Sequence, residues 1–153
     1  MNARVWILGA VALAATVGLG SRAAVARDAE NGKAQGPYVV VVGVGAVMTS
    51  PSRRSNVVDR LADLGTHTGT PMLCTYAARG MVADSAPWCA GVATGATIES
   101  PLLHDADLVI GVGLDPVELL GGPWPYTAPV LLLSPWHIDD SDWFSTSRTT
   151  EVV

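Results

Sequence analysis

The sequence predicts a single α/β domain with an open parallel sheet and helices on both faces. Residues 38–42 (YVVVV) form an unbroken apolar, mostly β-branched run, which is typical of a strand that is covered on both faces. Similar short apolar runs alternate with helical patterns along the rest of the chain, as the crossovers of a parallel sheet require. The length of 153 residues fits one domain.

Capping and turn signals set the predicted elements. Strands are predicted at residues 38–42, 71–75, 107–112 and 129–133. Ser50 can cap the helix that follows the first strand, with Pro51 at its first position, and Gly65 suits its end.

Less regular structure is predicted between the second and third strands. Residues 77–95 contain three glycines and one proline, and we interpret them as a loop that leads to a weak helix. A short helix is predicted to end at residues 102–106. After the third strand, Asp115 and Pro116 are predicted to cap a one-turn helix over residues 117–120.

The N-terminal residues 1–36 are predicted to lie outside the core. Residues 5–19 are apolar, and residues 24–26 (AVA) match a signal-peptidase pattern, so this segment is either a leader helix or a signal peptide, followed by a polar linker. The domain is assigned to residues 37–145 and a tail to residues 146–153. We expect a cytoplasmic protein that does not bind a membrane; export through a signal peptide is the alternative.

Composition and charge exclude several classes of function. The net charge of −5 leaves no surplus of basic side chains to neutralise phosphates, which excludes a nucleic-acid partner. The two cysteines, Cys74 in a predicted strand and Cys89 in a predicted loop, form neither a C-x-x-C pair nor a zinc-binding spacing. No metal site is therefore predicted.

No catalytic residue is predicted either. The chain contains no G-x-S-x-G motif, and its three histidines have no nucleophile partner that the sequence identifies. Asp139, Asp140 and Asp142 resemble a paired-carboxylate site, but in a loop the simpler interpretation is a solvated turn.

A Gly-Val-Gly tripeptide occurs at the end of two apolar runs, as Gly43-Val44-Gly45 and as residues 111–113. Backbone N–H groups in such turns can hold the pyrophosphate of a nucleotide at the carboxyl edge of a Rossmann-like sheet. Met48 stands where a dinucleotide-binding turn has its third glycine. Glycines that turn geometry alone requires are therefore the alternative interpretation.

Several motifs also follow one another in a characteristic order. They are YVVVVGVGA, a helix ending LADLG, TPMLCTYAARG, Pro87 with Gly91, LLHDADLVIGVG, and Trp124 followed by APVLLL and His137-Ile138-Asp139. In this order they resemble the central domain of thiamine-diphosphate-dependent enzymes of the acetolactate synthase and pyruvate oxidase type, with Arg79 where that family often has lysine. The resemblance covers about residues 37–142.

This resemblance implies a Rossmann-like domain that is not catalytic alone. The parent enzymes are lyases and transferases that act on 2-keto acids with thiamine diphosphate and magnesium. Two other domains hold the coenzyme, through an activating glutamate and a Gly-Asp-Gly motif, and this chain contains no Gly-Asp-Gly. A detached or truncated central domain is therefore implied, whose partners are other thiamine-enzyme domains or subunits.

In some members of this family the central domain binds FAD or ADP, and in others it is a structural spacer. Residues 114–118 (LDPVE) stand where flavin-binding members have R-F-D-D-R, which counts against flavin. A nucleotide, if bound, is expected to contact Gly43, Val44, Gly45, Gly113, Leu114 and Asp139. The predicted function is structural, or a vestigial form of nucleotide binding. The alternatives are an exported α/β binding protein and a nucleotide-binding subunit of separate catalytic chains.

Overall fold

The computed structural model describes residues 38–95, 99–119, 122, 124–138 and 143, and the backbone of residues 147–151. The predictions for residues 1–36, a leader helix or signal peptide and a linker, lie outside the described residues. So does the predicted site residue Asp139.

The described chain forms one six-stranded sheet in which every neighbouring pair of strands is parallel. The strands are β1 (Tyr38–Val42), β2 (Met72–Cys74), β3 (Cys89–Val92), β4 (Leu108–Val112), β5 (Val130–Ser134) and β6 (Ser147–Glu151). Their order across the sheet is β3-β2-β1-β4-β5-β6. This is the strand order of the Rossmann fold, so the predicted fold class is confirmed.

Strand β1 lies in the middle of this sheet. The side chains of residues 39–42 are at most 1% exposed, as the unbroken apolar run predicts. Val39 and Val41 pack into the core on one face, whereas Val40 and Val42 pack into a second core on the other face. Because β1 is buried on both faces, other elements must pack against each face of the sheet.

Helix α1 (Val44–Val47) is a single turn, and α2 (Pro51–Thr68) covers one face of the sheet. The predicted start of α2 is confirmed, because the Ser50 side chain accepts a hydrogen bond from the Arg53 N–H and Pro51 is the first helical residue. The predicted end at Gly65 is wrong, since the helix continues to Thr68. Gly65 is a contact position instead, and a Cβ there would lie 2.5 Å from the Trp88 ring.

The other face is covered by α3 (Ser100–His104), whose Leu103 is 1% exposed in the core. Helices therefore lie on both faces, as predicted. A 3₁₀ turn (Pro116–Glu118) follows β4, and Asp115 caps it as expected, accepting the Val117 N–H at 2.9 Å.

Two strands were not predicted, and both lie at the edges of the sheet. Strand β3, with Cys89, falls in the segment that was interpreted as a loop and weak helix, and β6 falls in the predicted tail. An edge strand needs neither a continuous apolar run nor two buried faces. The sequences CAGV and SRTTE therefore carry no strand signal, because the first is half-exposed and the second is mostly polar.

Candidate functional site at the carboxyl edge of the sheet

The strand order reverses between β1 and β4, which lie side by side at the centre of the sheet. Ligands of open α/β sheets bind in the crevice outside the carboxyl ends of the strands at this switch point. Gly43 directly follows β1 and Gly113 directly follows β4, and the preceding residues Val42 and Val112 are register partners. The two predicted glycine turns are therefore brought together at the expected edge.

The two turns are packed against each other. The Gly43 N–H donates to the Val112 carbonyl at 2.9 Å, and the Gly45 N–H donates to the Gly113 carbonyl at 2.9 Å. Gly113 has a φ of 65°, in the left-handed region, and a Cβ there would collide with the Ala46 nitrogen. Glycine is thus required here by the close approach of two backbones.

A carboxylate that the sequence analysis did not single out lies between these turns. Oε2 of Glu118 accepts the Val44 N–H at 2.8 Å, and its Oε1 accepts the hydroxyl of Thr75. The N–H of Asp115 also points to Oε2, at 3.4 Å. A Cβ at Gly43 would lie 2.5 Å from Oε2, so the absence of a side chain at Gly43 makes room for the carboxylate.

Part of the Glu118 arrangement has a sequence signal. Asp115-Pro116-Val117-Glu118 is a capping-box pattern, in which the last residue reaches back to the N–H of the first. The pattern gives this local contact but says nothing of Val44 or Thr75, which lie 74 and 43 residues away.

The donors at the switch point are already used inside the domain. The N–H groups of Gly43, Val44 and Gly45 each donate to an acceptor of the same chain. A diphosphate needs such N–H groups for its own oxygens and would approach a carboxylate of like charge. The residues in this arrangement therefore do not fit the diphosphate of FAD or ADP.

A small pocket lies beside the turns, on the face of the sheet that α3 covers. Its volume is about 90 Å³, and its walls include Val41, Thr75, Glu99, Leu114, Glu118 and Tyr126. Ligand pockets for drug-sized molecules hold about 300–1,000 Å³. The pocket is too small for a whole nucleotide.

Glu99 forms part of the pocket wall and is 3% exposed. Burial acts to raise the pKa of its carboxyl, but hydrogen bonds outweigh burial and hold the pKa below its ordinary value. The Thr94 N–H is one of these donors, at 2.8 Å. Burial, together with the charge of Glu99, raises the pKa of the Tyr126 hydroxyl. Neither group has a pKa moved toward neutrality, as a general acid or base would require.

Metal ligands and thiols offer no further chemistry in the described part of the chain. Among residues 38–95, 99–119, 122, 124–138 and 143, no three His, Cys, Asp or Glu side chains are grouped so that they could hold a metal ion. Cys74 and Cys89 are free thiols, and burial raises the pKa of Cys74. None of the described helices combines the length and apolarity that a membrane crossing needs.

Five of the six predicted contact residues can be placed. Gly43, Val44, Gly45 and Gly113 lie at the switch point, and Leu114 is 1% exposed in the core and lines the pocket. That these residues contact a nucleotide stays a prediction.

Comparison with known proteins identifies the family to which the chain belongs. The family model described as thiamine pyrophosphate enzyme, central domain, matches residues 33–134. The chain belongs to this family. The resemblance predicted from the motif order is confirmed, and the match includes β1 to β5 and both glycine turns. A search of curated proteins found no match.

Proposed function

We propose that this central domain has a structural role in a thiamine-diphosphate-dependent enzyme of the kind that acts on 2-keto acids. In this role it holds other domains or subunits in place and binds no nucleotide itself. Those other parts supply the groups that bind thiamine diphosphate and magnesium.

The observation that supports this proposal is the packing of the two glycine turns. The Gly43 and Gly45 N–H groups bond to carbonyls at the end of β4, so the glycines join two strands. Glycines that serve a ligand leave their N–H groups pointing into a crevice. The pocket volume of about 90 Å³ favours the same conclusion.

Nucleotide binding at Gly43, Val44, Gly45, Gly113, Leu114 and Asp139 is the second candidate. Its support is the position of the turns at the carboxyl ends of β1 and β4, where such ligands bind in this fold. In this case the bound part would be an adenosine diphosphate group.

We also infer a cytoplasmic location, and the structure is compatible with it because Cys74 and Cys89 are not joined by a disulfide. Reducing compartments keep thiols in this state. Mass analysis of the N-terminus of the protein from its host tests this point, because export would remove the residues before the AVA pattern.

Calorimetric titration of the purified chain with ADP, with FAD, and with thiamine diphosphate plus Mg²⁺ tests the function. We expect no binding in any of the three titrations. Micromolar affinity for ADP or FAD would contradict the structural role and establish the second candidate. Micromolar affinity for thiamine diphosphate would show that this chain itself holds the coenzyme.

A further inference from the structure

Glu118 lies where three strands of the sheet end. Its carboxylate accepts hydrogen bonds from Val44 after β1 and from Thr75 after β2, and it belongs to the turn after β4. These two contacts and the turn itself connect three segments that are far apart in the sequence. A side chain that only capped its own 3₁₀ turn would not reach the ends of β1 and β2.

The donors around Glu118 are of the kind that bind a phosphate oxygen. A main-chain N–H and a hydroxyl group converge on a pair of negatively charged oxygens at the carboxyl edge of a Rossmann-type sheet. Hydrogen bonds from such donors to an ionised acceptor are stronger than those between neutral groups. In this chain the acceptor is a side chain of the domain itself.

We propose that Glu118 is a built-in anion that closes the switch point to ligands containing a diphosphate. The inference rests on the proposed structural function and names the residue that keeps nucleotides out. The carboxylate excludes them in two ways, by occupying the Val44 N–H and the Thr75 hydroxyl and by repelling a second negative charge. Glu118 is thus a specificity-determining residue, and a glycine that could admit a phosphate, Gly43, admits this carboxylate instead.

No ion pair between Glu118 and a basic side chain is found among the residues that the structure describes. The ion pairs found in the described part of the chain join Arg60 to Asp63 and Arg79 to Asp84, and neither includes Glu118.

The test compares the full chain with three variants: Glu118→Ala, Glu118→Gln and Glu99→Gln. Glu118→Ala empties the position, and Glu118→Gln keeps the size of the side chain but removes its charge. Glu99→Gln is the matched control, because it removes a carboxylate from the same pocket wall while the hydrogen bond to Val44 remains. The probe is inorganic pyrophosphate, followed by the chemical shift of the Val44 amide and by calorimetry.

We expect no shift of the Val44 amide in the wild-type chain or in Glu99→Gln at millimolar pyrophosphate. Glu118→Ala is expected to bind pyrophosphate at least about tenfold more tightly than the wild type, because the like-charge repulsion is gone and the Val44 N–H and the Thr75 hydroxyl are free. Glu118→Gln is expected to show a smaller gain. Pyrophosphate should also raise the melting temperature of Glu118→Ala and not that of the wild type.

Several results would overturn the assignment of Glu118. A Val44 shift in the wild type, no gain in Glu118→Ala, or an equal gain in Glu99→Gln would each do so. Circular dichroism reports whether the variants fold. Should Glu118→Ala unfold, the decision passes to Glu118→Gln, which must then bind more tightly than the wild type.

The titrations separate this inference from the function on which it rests. Binding of ADP to the wild type without a Val44 shift contradicts the structural role and leaves the assignment of Glu118 standing. A wild type that binds nothing, together with a Glu118→Ala that gains nothing, contradicts the assignment of Glu118 and leaves the structural role standing.

Discussion

The two Gly-Val-Gly segments occupy different positions relative to their strands. After β1 the tripeptide lies wholly outside the strand, with Gly43 as the cap and Val44 and Gly45 in α1. At β4 the first two residues, Gly111 and Val112, are still paired strand residues, and the third alone begins the turn.

The equivalent turn positions are therefore Gly43 and Gly113, because each follows one of the paired residues Val42 and Val112. Gly111 has a different role. It lies inside β4, where a Cβ would come within 2.7 Å of Leu132 Cδ2. The same three residues thus form a turn outside the strand in one place, and a packing position followed by a sharp turn in the other.

Gly113→Ala is expected to have the largest effect on stability. The substitution combines the strain of a φ of 65° with a Cβ that collides with the backbone of α1. We expect the free energy of unfolding to fall by about 3 kcal/mol, the combined size of a strained conformation and an overpacked contact. Urea denaturation measures the loss.

Gly80→Ala is the matched control for that variant. Gly80 also has a positive φ, 90°, but a Cβ there would meet nothing within 4 Å. Strain alone should then cost about 1 kcal/mol. Equal losses in the two variants would mean that the close approach of the two turns contributes nothing to the loss of stability in Gly113→Ala.

Gly43→Ala is expected to cost somewhat less. Its φ is −117°, which an alanine adopts without strain, so contact alone decides the effect. The Cβ would lie 2.5 Å from Glu118 Oε2 and from the Gly113 carbonyl oxygen. An overpacked contact of this kind costs about 2 kcal/mol. Repeating the substitution in Glu118→Ala should recover part of the loss, and full additivity of the two changes would contradict the contact.

The sequence was sufficient to predict the centre of this fold. Strand β1 and the start of α2 were predicted correctly because burial on both faces, a serine cap and a proline at the first helical position leave local signals. Strands β3 and β6 left none, because edge strands are specified by pairing with β2 and β5. The end of α2 was misplaced, because Gly65 is a glycine that packs against the Trp88 ring inside the helix and does not end it.

The candidate site also has a part that the sequence predicted and a part that it did not. Local motifs located the glycines at the carboxyl edge, because apolar runs that end in glycine indicate strand ends. The contacts of Glu118 with Val44 and Thr75 depend on three segments coming together in the folded chain. No spacing rule within one segment reveals them.

Comparing the stability of Glu99→Gln with that of the wild type at acid pH measures what the pocket wall contributes, independently of the glycine turns. Hydrogen bonds lower the pKa of Glu99 from its ordinary value of 4.5 in the folded chain. The stabilisation is therefore complete above pH 4.5 and is lost as the pH falls below that value, through the pKa of the folded state.

At neutral pH the substitution should cost about 1.5 kcal/mol, the size of a hydrogen bond to a charged group. The difference between wild type and variant should shrink below pH 4.5. A difference that is constant from neutral pH to acid would show that the ionised form of Glu99 contributes nothing. Urea denaturation at a series of pH values gives the comparison.

Gly111→Ala is expected to have the smallest effect among the variants in the two tripeptides. The nearest atom to its Cβ is the end of the Leu132 side chain, which can move, rather than a backbone atom. A loss of about 1 kcal/mol is expected in urea denaturation. A loss as large as that of Gly113→Ala would contradict the conclusion that Gly111 is a packing position within β4 and Gly113 alone is the turn position.

The hydrogen bond between Glu118 and Val44 also bears on whether the stability of the domain depends on the concentration of a metabolite in the cell. A domain that gains stability from a bound metabolite gains it only in proportion to the logarithm of the metabolite's concentration relative to its Kd. Here the acceptor is covalently attached 74 residues along the same chain, so its effective concentration is fixed by the chain and not by supply. Under the proposed structural role, starvation for nucleotides leaves the folded fraction of this domain unchanged, because the acceptor that closes the end of the sheet is part of the chain itself.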